Sequence, residues 1–194
     1  MNRRRAVVAL LTALASGCAT RRVAPEPFTF PPDDGGPALM ALEPRVVAET
    51  SGGRVRAVVP FRYRNRGPGV AAVSEGCGPG EPRLERWDGA RWTRVYAYAE
   101  LACLGPPLLV PAGAVFRDSI VVDAARGGPR QAPPLPRGVF HGPVAGRYRL
   151  VWGIHDAVNL EPGTSGPHNV GPPRAESERR SNEFEIVAGT SAPE

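Results

Sequence analysis

Cysteines, histidines and carboxylates are the side chains with the most chemical reach, and here they are sparse. Cys18, Cys77 and Cys103 are the only cysteines, and the histidines are His141, His155 and His168. A metal site needs three or four converging ligands. No C-x-x-C, H-x-H or H-E-x-x-H unit occurs, and no histidine stands near Cys77 or Cys103 in sequence. Neither a metal nor a cofactor is expected. Gly163-Thr164-Ser165-Gly166 lacks the strand-to-helix flanks of a nucleophile elbow. No phosphate-cradling or dinucleotide fingerprint is present. The paired carboxylates are Asp33-Asp34, outside any patterned segment. Asp118 shares a strand face with Phe116 and Ile120 and reads as a satisfied buried or edge polar group. These observations point away from an enzyme.

Binding chemistry is better represented. Arg54, Arg56, Arg62, Arg64 and Arg66 fall on one face of a period-two segment. Such a stripe could meet an acidic polymer or lipid head group; its plainer reading is a solvated outer face. All 24 basic residues are Arg, a bias a GC-rich genome would produce, so abundance alone carries no functional weight. Trp87 and Trp92 flank a turn at Asp88-Gly89, with Tyr96 and Tyr98 further along. Exposed, they would stack on a sugar or anchor a protein contact; otherwise they pack across the hairpin. A long loop, 156–180, ends in the charged run Arg174 to Arg180 and is either a recognition loop or an excursion between strands.

The elements that must position these groups begin with an address. Arg3, Arg4 and Arg5 precede a ten-residue apolar region, Ala6 to Ala15, too short to span a bilayer as a helix. Then comes Ala15-Ser16-Gly17-Cys18. This resembles the bacterial lipoprotein signal, with Ala15 where Leu is commoner. The resemblance implies cleavage before Cys18, acyl chains on Cys18 and a stable membrane anchor. Ala19 rather than Asp follows the cysteine, which under the same resemblance implies the outer membrane where a host has two. Cleavage leaves 21 Arg against 19 acidic residues, so a net charge of +5 becomes +2. That argues against a nucleic-acid partner. An even pair, Cys77 and Cys103, in an exported chain reads as a disulfide, contributing about 3–4 kcal/mol.

Gly and Pro, 23 of each in 194 residues, argue against long helices, while 42% hydrophobic residues suffice for a core. Residues 18–37 read as a Pro-rich tether reaching roughly 50–60 Å. The folded domain is expected over 38–189, with 190–194 as a tail. Strands are expected at 39–49 (interrupted at Pro44), 54–64, 70–74, in a hairpin over 83–98, and at 115–122, 147–154 and 182–187. Residues 124–145 read as irregular.

About seven short strands imply an all-β fold, an immunoglobulin-like antiparallel β-sandwich. Gly146-Arg147-Tyr148-Arg149-Leu150 resembles the strand of such domains whose Tyr ties a corner. FRYRN, VPAG and G-x-Y-x-L also resemble, loosely, the bacterial intracellular proteinase inhibitor family. In a two-sheet sandwich, Arg147 and Arg149 would face away from the Arg54–Arg66 stripe and pair with Glu183 and Glu185. The expected function is a lipid-anchored, non-catalytic interaction module meeting an envelope protein or polysaccharide. Its alternatives are an exported hydrolase inhibitor acting through a loop, and a carbohydrate-binding module using Trp87 and Trp92.

Overall fold

The computed structural model describes residues 28–73, 82–97, 107–127, 138–158 and 170–189. Cys18, Cys77, Cys103, Tyr98 and His168 lie outside them, as do the leader and the last five residues. Of the described residues 63% are strand and 3% helix, so the protein is all-β. In chain order the strands are β1 (Leu39–Ala41), β2 (Arg45–Ser51), β3 (Arg54–Arg64), β4 (Ala71–Val73), β5 (Arg83–Trp87), β6 (Trp92–Ala97) and β7 (Leu108–Val110). There follow β8 (Val115–Gly127), β9 (Val139–His141), β10 (Gly146–Val151), β11 (Ile154–Ala157), β12 (Val170–Pro173), a helical turn α1 (Glu176–Arg179) and β13 (Arg180–Ala188). No described helix is long and apolar enough to cross a membrane.

Period-two alternation builds the long strands. On β3, Val55, Ala57, Val59, Phe61 and Tyr63 are buried while Arg54, Arg56 and Val58 are exposed. On β10 and β13, Tyr148, Leu150, Phe184 and Ile186 turn inward against them. Trp152 enters the same core, its ring 4.6 Å from that of Phe61 and edge-on to it. Asp88 shapes the β5–β6 turn by accepting from the Ala90 and Arg91 N–H groups, and Gly89 takes the positive φ that turn needs.

One nine-stranded sheet runs β6-β5-β10-β13-β2-β3-β8-β9, with β1 also on β3. β2 is the joint. Its first residues pair in parallel with β13, Val46 opposite Ile186, and its last pair antiparallel with β3, Glu49 opposite Arg56. The sheet folds over at this joint and almost closes, the Gly138 N–H donating to the Ala97 carbonyl at 2.9 Å. A second sheet, β12-β11-β4-β7, covers one end.

Several expectations change. The described chain has thirteen short strands rather than about seven. Two pairings, β2–β13 and β8–β9, are parallel. The 39–49 segment divides at Pro44 into two strands, because proline cannot donate to a ladder. β8 continues to Gly127, and β9 forms inside the stretch expected to be irregular. The Arg54–Arg66 stripe and Arg147–Arg149 belong to the same folded-over sheet, not to separate ones. Their side chains still face away from each other, since the inward residues of both strands meet in one core.

Candidate functional site

The arginine stripe of β3 is two regions. Arg54 and Arg56 are exposed, and Arg54 is paired with Asp123 on β8. Arg64 also points outward, yet it is only 4% exposed. Its cover is residues 28–36, a strap of chain rather than core. Thr29 bridges Val115 on the edge of β8 away from β3, its N–H and carbonyl both bonded to the Val115 backbone. The strap then crosses over β3 before β1 joins the opposite edge. Arg64 donates to the Pro31 and Pro32 carbonyls, each at 2.9 Å. Arg66 chelates Asp33 at 2.6 and 3.1 Å, and Arg62 pairs with Asp34. Phe28 packs against the core. The part of the tether from Phe28 on is therefore laid against the domain rather than free.

These cations act on the strap carboxylates. The hydrogen bond from Arg66, followed by the Gly35 N–H, holds Asp33 below the usual carboxylate range. Arg62 and the Gly36 N–H do the same for Asp34. Both acids stay ionised at any physiological pH.

On the opposite face Trp87 and Trp92 are cross-strand partners and half-buried. Their rings stand 5.6 Å apart at 57°, so they do not form a flat platform. Arg147 lies over both, at 5.2 and 5.9 Å, and Arg149 lies 4.5 Å over Trp92. Arg147 stands opposite Glu185 but pairs diagonally with Glu183, at 3.2 Å. Arg149 turns the other way, to Glu85 on β5 at 2.6 Å, where both side chains are largely buried. Glu185 goes to Arg45 instead, at 3.9 Å.

No protein-family model, curated protein or solved structure matches the chain.

The loop expected over 156–180 sends one arginine into the interior. Arg174, its side chain 5% exposed, donates to Asn65 Oδ1 at 2.5 Å, Asp156 at 2.9 Å and Gly69 O at 3.3 Å. Tyr63 Oη and Glu178 each lie 3.4 Å away. Asn65, fully buried, donates to the Gly69 and Val110 carbonyls at 2.8 Å. A Cβ on Gly67 would stand 2.6 Å from the guanidinium, so any side chain there would push Arg174 off its partners. Burial, partly offset by Arg174, pushes the Tyr63 hydroxyl up to about 12. The described end of this loop is thus pinned to the domain.

The remaining candidates stay apart. His155 Nδ1 sits 3.0 Å from the Gly171 carbonyl, and His141 is buried on β9. Among the described residues no three metal-ligating side chains converge. Asp118 is exposed, its carboxylate accepting the Ser119 N–H at 2.7 Å. It is a satisfied surface group rather than a buried one.

Proposed function

We propose that the chain is a lipid-anchored envelope lipoprotein whose folded part is a non-catalytic interaction module of immunoglobulin-like type. One observation carries the anchor: basic, apolar and small residues followed by Cys18, all within MNRRRAVVALLTALASGC. Two features support the immunoglobulin-like reading. β13, β10, β5 and β6 lie in that order, with β2 parallel to β13 on its other side and leading on to β3. The Tyr148 hydroxyl donates to the Val144 carbonyl at 2.6 Å, four residues upstream, as a corner tyrosine would. The interaction reading draws on the Trp87, Trp92, Arg147 and Arg149 array, whose residue types dominate protein contacts. Tilted, arginine-capped rings favour a protein partner over a stacked sugar. The pair Cys77 and Cys103 is proposed to be a disulfide.

The test is metabolic labelling with an alkyne fatty acid. The natural chain should carry the label and sediment with membranes, and Cys18→Ala should do neither. A Cys18→Ala chain that stays acylated and membrane-bound would refute the anchor.

A further inference from the structure

The strap across β3 holds a place that another acidic chain could take. Arg62, Arg64 and Arg66 follow one another on outward positions, and Arg117 stands opposite Arg62 on β8, exposed. Four guanidiniums thus border a region where the strap supplies two carboxylates, Asp33 and Asp34. Arg117 has no ion-pair partner among the described residues. Buried donors also remain unused: the Nε atoms of Arg62 and Arg64 have no hydrogen-bond partner among the described residues. Arg62 spends its known contact on Asp34, and Arg64 spends its two Nη groups on backbone carbonyls.

These contacts are specific to a peptide. Val115 offers its N–H and carbonyl to an extended strand at the edge of β8. Arg64 reads two consecutive main-chain carbonyls. Arg62 and Arg66 then read two consecutive carboxylates, the planar forks that guanidinium suits best. A bare anion would satisfy only the last of the three. The strap itself is weakly held by apolar contact: Phe28 packs on the core, but Phe30 is 64% exposed and the rest is Thr, Pro, Asp and Gly. The Asp33 and Asp34 side chains are about half exposed, open to competition from water and from other anions.

We propose that the β8 edge together with Arg62, Arg64, Arg66 and Arg117 is a binding site for an extended acidic peptide of a partner protein, occupied in cis by residues 28–36. This deepens the interaction-module reading and needs no anchor. Loss of acylation at Cys18 would leave the site unchanged, so the two readings fail separately.

The experiment uses the full chain and labelled peptides in trans. One peptide is FTFPPDDGG, the sequence of residues 28–36; its control is FTFPPNNGG, and tripolyphosphate is a third probe. Asp33→Asn with Asp34→Asn should loosen the cis strap. That variant should bind FTFPPDDGG at least tenfold more tightly than the natural chain does, and should bind FTFPPNNGG at least tenfold more weakly than it binds FTFPPDDGG. Adding Arg62→Gln and Arg66→Gln should abolish the gain. Equal binding of both peptides, or no saturable binding to the loosened variant, overturns the proposal. Tripolyphosphate binding without peptide binding overturns it in favour of a simple anion site. A loosened variant that loses its cooperative thermal transition is replaced by the natural chain, read at the Val115 amide resonance. A saturable shift with the acidic peptide alone supports the site, and no shift overturns it.

Discussion

Arg174 reaches into the turn that follows β3 and Arg66 projects from that turn to the strap, and the contrast between them is a contrast of solvent. Arg174 sits inside, spending its donors on Asn65, Gly69 and Tyr63 as well as on two acids. Arg66 sits under the strap, spending its donors on two surface carboxylates and the Gly36 carbonyl. In the interior a lost partner leaves buried polar atoms with nothing to replace it. Outside, water and salt take its place. One guanidinium therefore fixes the fold, and the other closes a surface that can reopen.

The largest test of that contrast is Arg174→Leu. It takes the charged donor from Asn65 Oδ1, leaving that atom the Gly67 N–H at 3.0 Å, removes the guanidinium beside the Tyr63 hydroxyl, and should cost about 3–5 kcal/mol in urea unfolding, whereas Arg66→Gln should leave the midpoint within measurement error. A comparable loss from both would erase the distinction. Next in size is Tyr148→Phe, which removes the bond to Val144 and should cost about 1–2 kcal/mol by the same measurement.

Alkali separates the two regions further. The Tyr63 pKa is raised, so folded protein keeps a proton that unfolded chain releases. Its contribution is complete below pH 10 and is lost between pH 10 and about 12. Stability should fall there by up to about 1.4 kcal/mol per pH unit for this group. Tyr63→Phe should flatten that slope in alkaline unfolding curves, and Arg66→Gln should not.

Acid gives the smallest effect and reverses the sign. Asp33 and Asp34 have depressed pKa values, so their hold on the strap is complete above the ordinary carboxylate value of 3.8 and fades as pH falls through the depressed ones. Exchange of the Val115 amide should be slow at neutral pH and rise only below about pH 4. Exchange that accelerates already at pH 6 would mean that the carboxylates do not hold the strap.

Sequence patterning reaches the parts of this fold that repeat. β3, β10, β13 and the β5–β6 hairpin each alternate over enough residues to show their buried face, and Tyr148 and Trp152 follow from that. β7, β9 and β11 span three or four residues, too few for a period of two to stand out. β12 reads Val-Gly-Pro-Pro, which mimics a loop. Parallel pairing of β2 with β13 joins residues about 140 positions apart, and no local preference encodes it. Arg174 is hidden for a different reason: its neighbours RAESERR carry so much charge that a buried member cannot be told from a solvated one. Asn65 before Gly67-Pro68-Gly69 was the available hint of a buried turn at that spot. The strap did leave a signal, an acidic pair with five spaced arginines at 54–66, but charge complementarity alone does not say which arginines it finds.

The docked strap also sets a distance. With Cys18 acylated, as proposed, a tether running to residue 37 would let the domain roam some 50–60 Å from its membrane. Because Phe28 already belongs to the folded body, nine residues, 19–27, separate it from Cys18, and nine residues span at most about 30 Å at full polyproline extension. Opening the strap would lengthen that span as well as expose the arginines beneath it. The same few contacts would then govern both what the protein can hold and how far from the membrane it can reach for it.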